Sequence, residues 1–201
     1  MLILTRSVEA ELMVKGSRFL AEITPVESQA EARETLKAFK QKYADATHVC
    51  HAFIAGLGRE VMGMSDDGEP SGTAGRPMLD VVKGRNVTNL LLTVTRWFGG
   101  TLLGTGGLVK AYGDSAKLVL DKAFEENAFE EYIEKKEFLF EIPYDIFDKV
   151  KHSIKDLHIQ DVKEDFSAAI VISGKIYASE AEVLTSILTN LTNGKTIVSF
   201  L

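Results

Sequence analysis

Residues 96–113 read RWFGGTLLGTGGLVKAYG, and residues 66–77 read DDGEPSGTAGRP; eight of the 16 glycines lie within residues 65–76 and 97–107. Glycine loses more backbone entropy on folding than any other residue, so clustering points to positive φ or to close approach of the backbone to something else. Residues 89–95, just upstream of the longer segment, are leucine-rich and β-branched, the pattern of a buried strand. Downstream, Thr105 can cap a helix from Gly106 to about Glu126, with Leu108, Val109, Tyr112, Ala116, Val119, Leu120 and Ala123 as its apolar stripe. A glycine loop feeding a helix start is a candidate anion cradle, because first-turn amides are unpaired and carry positive dipole potential.

Residues 10–22 read as two extended stretches broken at Gly16. Thr24-Pro25-Val26-Glu27 combines a cap residue, proline and a glutamate three places after the cap, which predicts a helix start. Ala32, Leu36, Phe39 and Tyr43 follow at helical spacing. Residues 47–58 and 60–64 read as strands, residues 66–77 as irregular, and residues 78–84 as a short helix. Beyond about residue 130 the order is strand (137–143), helix (145–157), strand (159–164), strand (168–173), helix (179–191), strand (195–200). That βαββαβ order is the ferredoxin-like arrangement of an antiparallel sheet with helices on one face. The class is therefore α+β, with domains expected at 1–130 and 131–201.

Of the 201 residues, 45% are hydrophobic and 26% charged, an ordinary globular balance. A single cysteine excludes an internal disulfide framework, and without a signal-peptide pattern the expectation is a cytoplasmic protein. No apolar run reaches the roughly 20 residues of a membrane helix. The net charge of −6 excludes a broadly basic, non-specific nucleic-acid surface, so any such contact must use a local patch.

Lys15-Gly16-Ser17-Arg18-Phe19, Ala46-Thr47-His48-Val49-Cys50 and the two glycine segments, in this order, resemble the IMPACT family in its bacterial two-domain, YigZ-like branch. The resemblance spans the chain. It implies an N-terminal domain similar to domain 2 of ribosomal protein S5, followed by a ferredoxin-like domain similar to ones in translation elongation factors. It further implies a translation-linked role, with RNA, the ribosome or a translation factor as partner. Eukaryotic relatives are translation regulators that carry a different accessory domain. Leu102 stands where many members carry lysine, so no cation is expected there.

The residues themselves offer four candidate chemistries. Arg76, Arg96 and Lys110, with the amides around Thr105, Gly106 and Gly107, could hold a phosphate; the alternative is that the glycines only let the two loops pack. Asp66, Asp67 and Glu69 could bind Mg²⁺ or act as acid and base, or could simply shape a turn. His48 and Cys50 share one strand face and His51 the other, too few ligands to close a zinc site, which favours a hydrogen-bonded histidine beside a buried thiol. The Arg96-Trp97-Phe98 run could stack bases, but a core position for at least one of its aromatics is the expectation. Neither a Walker A sequence nor a complete G-x-G-x-x-G is present, and no cofactor is expected. A non-catalytic binding protein for an anionic ligand is the first expectation; a hydrolase acting on a phosphorylated or peptide substrate at the same loops is the alternative.

Overall fold

A computed structural model describes residues 1–201, which divide into two compact units, Met1–Tyr132 and Ile133–Leu201. In the first unit the strands are β1 (Leu2–Leu4), β2 (Val8–Val14), β3 (Ser17–Pro25), β4 (His48–Ala55), β5 (Val61–Ser65), β6 (Val87–Thr88), β7 (Leu90–Trp97) and β8 (Phe129–Glu131). Its helices are α1 (Gln29–Lys42), α2 (Gly75–Lys83) and α3 (Gly104–Glu125). A five-stranded antiparallel sheet runs β2-β3-β7-β4-β5, and a small sheet runs β6-β1-β8. The run Leu90-Leu91-Leu92-Thr93-Val94, apolar but for Thr93, fits β7 at the centre, buried on both faces.

Helices α2 and α3 pack on one face of the larger sheet, burying Phe19, Cys50, Ile54, Leu92 and Val94 against Met78, Leu108, Tyr112, Ala116 and Leu120. Val109, expected in this stripe, is exposed, and Ala111 and Ser115 are buried in addition. On the other face α1 covers Phe53, Ala55 and Leu91 with Ala32, Leu36 and Phe39. It starts later than the Thr24-Pro25 pattern predicts. Those two residues finish β3, and Ser28 is the true cap, its hydroxyl accepting from the Glu31 amide at 3.2 Å. Pairing with the central strand outweighed a local capping pattern.

The second unit contains β9 (Lys135–Ile142), α4 (Phe147–Ile154), β10 (Ile159–Phe166), β11 (Ile170–Tyr177), α5 (Ala181–Thr192) and β12 (Ser199–Phe200). The strand order is β10-β11-β9-β12, every neighbour antiparallel. Phe138, Phe140, Ile142, Ile170 and Ile172 meet Val150, Leu184 and Leu188 in its core. The two phenylalanines therefore sit inside, and Leu139 stands on the other face of β9, 45% exposed. No helix of either unit is long and apolar enough to cross a membrane.

Candidate functional site

The first glycine segment is shaped by its own carboxylates. Asp66 Oδ1 accepts from the amides of Ala74 (3.0 Å) and Gly75 (2.8 Å), and Oδ2 from Gly72 (2.8 Å). Asp66 thus caps α2, which begins at Gly75, three residues inside the segment expected to be irregular. Burial alone would raise its pKa, but these three amides outweigh burial and hold it below the ordinary value. Gly75 is required by contact as well: a Cβ there would lie 2.9 Å from the Ser65 backbone.

Asp67 and Glu69 turn elsewhere. Asp67 pairs with Lys40 and accepts from the Val49 amide at 2.8 Å, and its pKa is also lowered, burial being overcome by these two bonds. Its carbonyl meets His48 Nδ1 at 2.8 Å, so Nδ1 is the donor there and Nε2 is left as the acceptor nitrogen. Glu69, 8% exposed, accepts from Arg96 Nη1 at 2.6 Å and from the Tyr112 hydroxyl at 2.8 Å. The three carboxylates diverge, and no three His, Cys, Asp or Glu side chains are arranged to hold a metal ion.

Arg96 reverses the expected burial order of its tripeptide. It lies between Phe19 and His48 in register, 5% exposed, with its guanidinium between the Phe19 and Phe98 rings. Trp97 is only half-buried and Phe98 is 47% exposed, so neither aromatic is a core residue. Strand alternation explains this, because placing Arg96 toward α3 turns Trp97 to the other face, where Arg18 stacks on it at 4.5 Å. His48 Nε2 is 3.9 Å from Glu69 Oε1. Cys50 hydrogen-bonds the Asp66 carbonyl and the Tyr112 hydroxyl, and burial pushes its pKa up to about 12. His48 and Cys50 do share a face, and His51 lies on the other.

The second glycine segment joins this network at one end only. Gly99 donates to Ser17 Oγ at 3.1 Å, and a Cβ on it would lie 1.9 Å from the Gly16 carbonyl carbon, so this segment and the β2–β3 turn touch backbone to backbone. Gly100 and Gly104 hold positive φ of +84° and +72°. Helix α3 then begins at Gly104, with Leu103 in the cap position and no side-chain cap. Thr105 is inside its first turn and does not cap it. The sequence pattern missed this because the left-handed Gly104 starts the helix two residues earlier than Gly106. A Cβ at Gly106 would meet nothing within 4 Å, and Gly106 has no positive φ. Neither packing nor backbone strain explains that glycine.

Beside this turn, Val14, Lys15, Leu103, Gly107, Lys110, Ala111 and Asp114 line a cleft of about 190 Å³. The candidate residues Gly107 and Lys110 meet there, together with Lys15, which is in no ion pair. Lys15 was visible in the sequence as part of a motif, but its position opposite α3 depends on the β2–β3 turn. Lys110 pairs with Asp114 at 2.7 Å in the open, and Arg76 with Asp80 at 2.9 Å on the exposed side of α2.

A family model for the Impact N-terminal domain matches residues 15–120. The IMPACT family member YvyE of Bacillus subtilis is 32% identical over 192 residues, covering 93% of this chain and 84% of its own length. The IMPACT family member YigZ of Escherichia coli is 41% identical over 109 residues, 53% of each chain. A solved crystal structure, described only as that of a hypothetical protein, is similar with a TM-score of 0.69 and 27% identity, covering 98% of this chain and 95% of its own. With a family model over more than half its length and a relative matched nearly end to end, the chain belongs to the IMPACT family.

Proposed function

We propose that this chain is a translation-linked binding protein that engages RNA phosphate, on the ribosome or free, at the first turn of α3. Membership of the IMPACT family supports the link to translation. The observation that carries the anion site is the uncapped, glycine-faced start of α3 beside Lys15 and Lys110. Exposed amides and two ammonium groups favour negative charge there. The Lys110–Asp114 pair is exposed and worth at most about 1 kcal/mol, so a phosphate can take its place. Arg96 does not line this cleft; it is committed to Glu69, and its other guanidinium nitrogen reaches Ser17 Oγ at 3.4 Å. We also read the N-terminal unit as similar to domain 2 of ribosomal protein S5 and the C-terminal unit as ferredoxin-like, which its strand order supports.

Binding of structured RNA to the whole chain at two salt concentrations tests the reading, with Lys15→Ala and Lys110→Ala as variants. Salt-dependent binding weakened by both supports it; salt-insensitive absence of binding contradicts it. A second reading, hydrolysis of a phosphorylated or peptide substrate, has His48 in its favour, since Nδ1 is held by the Asp67 carbonyl and the ring is thereby fixed with Nε2 as its acceptor nitrogen. Activity lost in His48→Gln, and kept in Lys15→Ala, would establish that alternative.

A further inference from the structure

A second polar site lies on the other face of the large sheet, on the side of α1. The register opposes Glu22 of β3 to Thr93 of β7, and Thr93 to His51 of β4. Directly opposed residues share a face, so these side chains form one row, and Thr95 stands two positions along on the same face. Thr93 and Thr95 are fully buried and Glu22 keeps 6% exposure. Glu22 Oε2, Thr93 Oγ1, Thr95 Oγ1 and His51 Nδ1 are all buried without a hydrogen-bond partner. Folded proteins satisfy most buried polar atoms, so several exceptions in one row indicate an occupant.

The row reaches a cleft at one end, through Glu22. Glu22 also lines a cleft of about 370 Å³ walled by Ser7, Glu9, Thr24, Phe39 and Lys42. Glu9 is directly across from Glu22 in register, and its carboxylate is in no ion pair. Opposed like charges destabilise a ladder unless something neutralises them. The chain shows which group the cleft accepts: Lys42 Nζ lies 3.1 Å from Glu22 Oε1, with the Phe39 and Tyr43 rings at 5.6 and 4.6 Å. The Tyr43 hydroxyl donates to the same oxygen at 2.9 Å. Oε1 is thereby used and Oε2 is left over, and two carboxylates facing one ammonium leave one negative charge. A further ammonium group would bring one positive charge and three donors to Glu22 Oε2 and the Glu9 carboxylate, both of which accept.

We propose that the cleft beside α1 binds a primary ammonium group, from a small alkyl amine or a lysine side chain, with Glu22 and Glu9 as counter-charges and Thr93 directly behind Glu22 in the sheet. The site shares no residue with the α3 cleft, so the two proposals fail separately. The test is an NMR titration of the whole chain at constant ionic strength with cadaverine and, separately, with Nα-acetyl-lysine methylamide. Saturable shifts at Glu22, Phe39 and Thr93 are expected, with affinity reduced about tenfold in Glu9→Gln and increased in Lys42→Met. Glu9 is exposed, so its replacement leaves the fold intact and the comparison interpretable. Response to both probes identifies protein lysine as an admissible source; response to cadaverine alone identifies the free amine. No saturable shift, long-lived water alone at Thr93, or shifts that Glu9→Gln leaves unchanged would overturn the proposal.

Discussion

Arg96 and Glu69 form a buried ion pair, Nη1 to Oε1 at 2.6 Å with side-chain exposures of 6% and 3%, that ties the centre of the sheet to the loop before α2. Removing one partner of such a pair leaves an uncompensated charge, which costs about 3–5 kcal/mol. Glu69→Ala and Arg96→Ala should each lower unfolding stability by that order. The double variant Glu69→Leu/Arg96→Met should lose much less than the sum. Urea unfolding of the three variants measures the coupling, and additive losses would show that the pair is not a unit.

Asp66 gives the loop a pH dependence. Its folded pKa lies below the ordinary 3.8, so the folded state binds its proton less tightly than the unfolded chain does. The contribution is then complete above the unfolded value and disappears as pH falls through the lower folded one. Asp66→Ala should cost about 1–2 kcal/mol at pH 7, like the loss of a cap, and progressively less below about pH 4. Urea midpoints of wild type and variant should converge on acidification; a constant gap would refute the capping role.

Cys50 should be inert in the native state. With its pKa pushed up to about 12 by burial, thiolate is scarce at neutral pH. Labelling with a thiol reagent should run at least about a hundred-fold slower than in the urea-unfolded chain. Rapid native labelling would contradict this and point to a reactive thiol beside His48.

The two kinds of glycine should separate cleanly. Gly99→Ala forces a Cβ to 1.9 Å from the Gly16 backbone and should cost about 3 kcal/mol or more. Gly106→Ala meets nothing and should leave stability unchanged or raise it by up to about 1 kcal/mol. Thermal unfolding of both variants distinguishes a glycine needed for folding from one that folding does not explain.

Much of the fold could be read from local patterns. Alternation in residues 10–22, the apolar run through Leu92, and the helical spacing of Ala32, Leu36 and Phe39 all reappear as elements, and the βαββαβ order of the second unit followed from periodicity. What local reading could not supply was pairing at a distance. Thr24-Pro25 looks like a helix start until β7 claims it as strand, and Asp66 looks like a metal ligand until its amides are found six to nine residues away. Arg96 looked available to a ligand, yet its partner Glu69 lies 27 residues upstream. Lys15 carried no chemical signal by itself, because its value depends on a cleft formed with α3.

The central claim is that the start of α3, with Lys15 and Lys110, receives phosphate. The most direct measurement is the salt dependence of structured-RNA binding by wild type and by the Lys15→Ala/Lys110→Ala double variant, both with intact folds by circular dichroism. Each lost phosphate contact removes roughly one unit of slope in log K against log salt, so the double variant should lose about two. Binding with an unchanged slope, or none at low salt in the wild type, would contradict the account.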